Sequence, residues 1–154
     1  MPRATPANPD EIAPSEPTRL ATQTVGNIGL FFVCYRLSQR GWNVMPTSRN
    51  AKGIDILAYS QDGSKTVTVQ VKALSARNAA FLGPSLNGLI SQFVVVCRKV
   101  RTSAPESFVL ASPEVLERAH RGGRPDKVLY WLETKAYEGE EFLERWDKIG
   151  SGFS

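Results

Sequence analysis

The stretch DILAYSQDGSKTVTVQVKAL, residues 55–74, decides how this chain is read. Two runs rich in apolar and β-branched residues flank Asp62-Gly63, a strong signal for a two-residue hairpin turn of the left-handed type. With that turn, Tyr59 opposes Thr66, Leu57 opposes Thr68 and Asp55 opposes Gln70. Strand alternation adds Lys72 to the face of Asp55 and Gln70 and puts Val67, Val69 and Val71 on the other. An acid, an amide and a lysine thus converge, with opposed Cβ atoms about 5 Å apart and diagonal ones about 7–8 Å apart. As a bare triplet this equally describes a strand-edge ion pair, or a lysine reaching out to solvent.

Upstream, residues 20–40 predict a helix that is apolar over most of its girth and therefore heavily buried. Val25, Ile28, Phe32 and Tyr35 lie on one side of it, and Leu30, Val33 and Leu37 on a second. Gly41 suits its C-terminal cap, WNVMPTS a first strand, and RNAKG a polar loop carrying Arg49 and Lys52. Downstream, residues 75–90 have no steady period and read as a loop that could border a groove. SQFVVVCRK, SFVLAS and KVLYWLE predict strands. SPEVLERAHRGG predicts a short helix with Ser112 as N-cap and Gly122-Gly123 as its stop, which places His120 late in that helix. EGEEFLERWDKIG predicts a closing helix with Phe142, Leu143, Trp146 and Ile149 on one apolar face.

At 154 residues the chain fits one domain. Residues 1–18, which hold five of its ten prolines, read as a mobile arm, leaving 19–154 as the folded unit. No apolar run approaches a membrane span, and the N-terminus lacks the apolar core of a secretory signal, so a soluble cytoplasmic protein is expected. Cys34 and Cys97 then read as buried free thiols. The net charge of +4 is uneven: residues 20–132 hold 14 Lys and Arg against 6 Asp and Glu, and residues 133–154 hold 3 against 6. A basic body suits a polyanion partner, since neutralising phosphates releases counterions.

Asp55, the hairpin and Gln70-Val71-Lys72 resemble the core motif of the PD-(D/E)XK nuclease superfamily. GNIGLFFVCYRLSQRGWNV resembles the helix and first strand that precede that motif, so the likeness runs over residues 24–74. It implies an α/β restriction endonuclease-like fold with a central mixed sheet flanked by helices. It also implies a DNA endonuclease, RNA not being excluded, of the restriction, repair or mobile-element kind found in bacteria. In that scheme Asp55, Gln70 and Lys72 are catalytic, and Asp55, the Gln70 amide and the Val71 carbonyl hold Mg²⁺ or Mn²⁺. Arg49, Lys52, Arg77, Arg98 and Lys99 would meet phosphates. Two positions depart from the pattern: Gln70 stands for the second acid, as in the Mrr-like branch, and Leu30 stands where relatives often carry a helix glutamate. The competing expectations are an inactive module of the same fold that binds nucleic acid or protein, and a small interaction partner or homodimer.

Overall fold

A computed structural model describes residues 19–48 and 52–153; the expected arm at 1–18 and Arg49 lie outside the described residues. Helix α1 (Arg19–Gln39) ends at Gly41, whose positive φ of 90° serves the cap, and β1 (Asn43–Pro46) follows. β2 (Ile56–Tyr59) and β3 (Thr66–Ala73) form the hairpin in the expected register, Leu57 against Thr68 and Tyr59 against Thr66. The turn itself differs. Ser60 N–H donates to Lys65 C=O at 2.9 Å, so the loop is the four residues 61–64, and only Gly63 is left-handed, at φ 73°. Lengthening the loop by one residue on each side leaves the pairings of Leu57 and Tyr59 unchanged, but the expected opposition of Asp55 and Gln70 is corrected, because Asp55 N–H bonds Val69 C=O instead. Asp62 holds the turn by accepting hydrogen bonds from Ser60 Oγ, Ser64 Oγ and Ser64 N–H, which draw its carboxyl down to about 2.

β5 (Phe93–Arg98) adds parallel to β3, and β6 (Glu106–Ala111) adds antiparallel to β5, giving a mixed sheet of order β1-β2-β3-β5-β6. α1 covers one face, where Val33 and Leu37 are fully buried against Ile56, Val69, Val95 and Val109. The expectation of heavy burial holds for the face toward the sheet and is corrected for the other, because Phe31 and Tyr35 lie on the solvent side at 62% and 59% exposure.

The opposite face, carrying Val94, Val96, Phe108 and Leu110, packs under a second core with Leu132 and Tyr137. That core belongs to a three-stranded antiparallel sheet of order β4-β8-β7. β4 (Ala80–Gly83) lies inside the segment read as loop; pairing with β8 (Lys127–Leu132) makes it a strand, a partnership that residues 75–90 do not themselves signal. α2 (Ser112–Arg118) stops earlier than expected, with Ala111 rather than Ser112 as its cap, and α3 (Thr134–Tyr137) is a further short helix. His120 through Arg124 form β7, so His120 sits in a strand, where its ring packs on Trp131.

The closing helix is also corrected. Phe142 sits in the second core while Trp146 and Ile149 sit in the first, on the other side of the sheet. A straight helix cannot place positions four apart on opposite faces of a sheet. Instead the segment crosses the β6 edge, with Val109 N–H donating to Phe142 C=O and Glu144 N–H to Ser107 C=O, before a single 3₁₀ turn at Trp146–Lys148. Leu143 stays partly exposed at 39%. Both cysteines are free and buried, and burial raises each thiol to about 11. No helix among the described residues is long and apolar enough to cross a membrane.

Candidate functional site

β2 ends one residue short of Asp55, and there the chain slips by one residue against β3. Asp55 N–H donates to Val69 C=O at 2.9 Å, while the Asp55 carboxylate takes over the next rung, accepting Val71 N–H through Oδ2 at 2.7 Å. A strand residue points its N–H and C=O toward the same edge, so the Val71 carbonyl is directed to that end of the sheet as well. The segment before Asp55 is tied to the end of β1: Thr47 N–H donates to Asp55 C=O at 2.9 Å and Thr47 Oγ1 to Ile54 C=O at 2.6 Å. Neither Thr47 bond announces itself in the sequence.

Asp55 and Val71 line a cavity of about 400 Å³ whose other wall is α1, through Gly26, Asn27 and Leu30. Leu30 therefore shares the cavity of the carboxylate, at the position where the resemblance expects a glutamate. α1 approaches closely because of Gly29: a Cβ there would collide with the Cβ of Ala73, the residue after Lys72. The glycine of the GNIG run thus sets the helix-to-strand distance across the site.

Gln70 and Lys72 pair with Val94 and Val96 and share their face of the sheet, away from α1. Gln70 lines a separate cavity of about 360 Å³, with Lys52 and the loop from Leu82 to Leu89 as its other walls. Lys72 is half-buried; burial pushes its ammonium below the ordinary lysine range, and the charge of Asp55 opposes that push. The two residues sense each other without a direct ion pair among the described residues.

The other basic residues are placed differently from one another. Lys52 is exposed. Arg98 is buried, bonded to Glu138 at 2.9 Å and to Glu106 at 3.4 Å, and lies over the Phe108 ring. Arg77 forms a two-pronged pair with Glu138, and Lys99 pairs with Glu106 at 2.7 Å. Arg77, Arg98 and Lys99 are thus joined through Glu106 and Glu138 in one structural network at the end of β5.

The fold and site define an α/β protein in which a carboxylate, an amide and a half-buried lysine occupy adjacent strand ends of a mixed sheet. Comparison of the chain with protein-family models, curated proteins and solved structures found no match.

Proposed function

We propose that the chain is a metal-dependent endonuclease that hydrolyses DNA phosphodiester bonds on a restriction endonuclease-like scaffold. The observation that carries this reading is the end of the hairpin. The Asp55 carboxylate is anchored by Val71 N–H through one oxygen, and the next residue along β3 is a lysine whose ammonium is destabilised by burial. A strand lysine kept half-buried without a direct ion-pair partner among the described residues costs stability, which favours a chemical role over the bland edge-pair reading. The antiparallel β1-β2-β3 order behind α1, with β5 parallel to β3, supports the scaffold.

The donors near Asp55 are hard oxygens, a carboxylate and a strand carbonyl, and they suit Mg²⁺ or Mn²⁺ rather than a softer metal. Among the described residues no three His, Cys, Asp or Glu side chains gather into a metal-binding group. Asp55 and the Val71 carbonyl would therefore hold the cation only with oxygens added by water and by substrate phosphate. When bound, the cation would act as a Lewis acid on the phosphoryl oxygens. Asp55 orients through its Val71 bond, and Lys72 directs an N–H at the attacked phosphate or its water, offsetting charge as it builds there. Lys52, on the loop that leads into β2, would meet the strand's backbone.

The test is incubation of plasmid DNA with Mn²⁺ or Mg²⁺ and wild-type protein, Asp55→Asn or Lys72→Met. Cleavage by wild type alone supports the reading, and cleavage that survives in both variants removes the site assignment. A second reading is favoured by Leu30 in the cavity of Asp55: a site with a single carboxylate that binds DNA without cutting it. Salt-sensitive binding with no cleavage under either metal would select it.

A further inference from the structure

We propose that the cavity between Gln70 and the 82–89 loop receives a nucleobase unstacked from the bound strand, beside the phosphate held at Asp55 and Lys72. This rests on the DNA reading above and adds the form of the substrate: single-stranded or locally unpaired DNA.

The argument begins with size and lining. A cavity of about 150 Å³ accepts benzene, so the roughly 360 Å³ here has room for a purine or pyrimidine. Leu82, Pro84, Leu86 and Leu89 offer apolar surface to the faces of a flat ring. The Gln70 amide, with no hydrogen bond among the described residues, presents a donor and an acceptor to the ring's edge. That pairing of apolar walls with one free amide suits a heterocyclic base better than a sugar, which needs many polar partners, or an acyl chain, which needs none. Among the described residues no acidic side chain lines the cavity, and Lys52 stands exposed at its margin, where the base's own phosphate would lie.

The cavity is also built. Gly53, at φ 78°, packs against the Gly88 carbonyl and the Ile90 side chain so closely that any Cβ would collide with both. The 52–54 segment is thereby seated on the far wall. Position completes the case: Gln70 directly precedes Val71, whose N–H the Asp55 carboxylate accepts at 2.7 Å, and Gly53 on the cavity wall lies two residues before Asp55. A base in this cavity and a phosphate at Asp55 can therefore belong to neighbouring parts of one strand. A base stacked inside a duplex cannot enter, because its faces are covered and its edge is paired.

The experiment uses the full chain with Ca²⁺ in place of Mg²⁺, so that a hard cation can bridge Asp55 and phosphate while cleavage is suppressed. Binding is followed by fluorescence anisotropy on three labelled DNAs: a single strand, a perfect duplex, and the same duplex with one unpaired 2-aminopurine. The inference expects the single strand and the bulged duplex to bind at least about tenfold tighter than the perfect duplex, with a change in 2-aminopurine emission. Ser85→Trp, an exposed position on the cavity wall, should fill the cavity and erase the preference for the unpaired base. Equal affinity for perfect and bulged duplex overturns the pocket and leaves the nuclease reading standing. So does a preference unchanged in Ser85→Trp. Failure to bind any of the three DNAs at low salt overturns both.

Discussion

The carboxylate of Asp55 accepts the backbone N–H of Val71 at 2.7 Å, so one side chain does the work of a missing strand rung. Structural and chemical roles are separable here. Asp55→Asn keeps an oxygen acceptor and removes the charge, so cleavage should fall at least about a hundredfold while the melting temperature barely moves. Asp55→Ala leaves the Val71 N–H without its partner and should cost a further about 1–3 kcal/mol of stability, read by urea unfolding.

Lys72 is held where its charge is disfavoured, so removing the charge should not weaken the fold. Lys72→Met is expected to match wild-type stability or exceed it by about 1 kcal/mol, while abolishing metal-dependent cleavage. A variant that loses stability and activity in parallel would mark Lys72 as a packing residue instead.

Leu30 shares the cavity of Asp55, so a second carboxylate can be supplied from α1. Leu30→Glu is expected to tighten Mn²⁺ binding by about tenfold or more, since added ligand charge raises hard-cation affinity. Titration calorimetry on wild type, Leu30→Glu and the Leu30→Glu/Asp55→Asn pair would read this, with the gain vanishing in the pair.

The glycines of α1 make opposite predictions. Gly26 has open space around its Cβ direction, so Gly26→Ala should stabilise the helix by about 1 kcal/mol. At Gly29 the new methyl meets Ala73, and Gly29→Ala should destabilise by about 1–3 kcal/mol through forced separation of α1 and β3. Thermal unfolding of the two variants should move in opposite directions.

Glu138 is held at about 2, first by its bonds to Arg77 and then by Arg98, against an ordinary value of 4.5. Its folded form prefers the carboxylate, so its contribution is complete above pH 4.5 and is lost as pH falls toward 2. Glu138→Gln should therefore unfold more readily near neutrality and show a shallower loss of stability as pH falls from 4.5 to about 2, followed by circular dichroism. Arg98 is the buried end of that network, and Arg98→Ala should cost about 3 kcal/mol or more, because it strips the cation from Glu138 and Glu106 and leaves a void against Phe108.

The hairpin was legible in the sequence because its determinants are local. Alternation in Thr66–Ala73 and the Asp-Gly pair specify which residues oppose one another, and the register of Leu57 and Tyr59 survives even though the loop is two residues longer than its turn signal suggests. For the same reason α1, the apolar strands β5 and β6, and the facing of Gln70 with Lys72 could be read directly. What tertiary structure decided is everything that depends on a distant partner. β4 is a strand only because β8 lies beside it, and His120 left its helix for a strand paired with Trp131. Phe142 and Trp146 abandoned a helical spacing because two cores on opposite faces of one sheet claimed them. The division of the site has the same origin: Asp55 turns its carboxylate into the sheet edge facing α1, while Gln70 keeps to the opposite face and its own cavity. Periodicity records which side of a strand a residue takes, but the surface waiting on that side is assembled by chain segments far away in sequence.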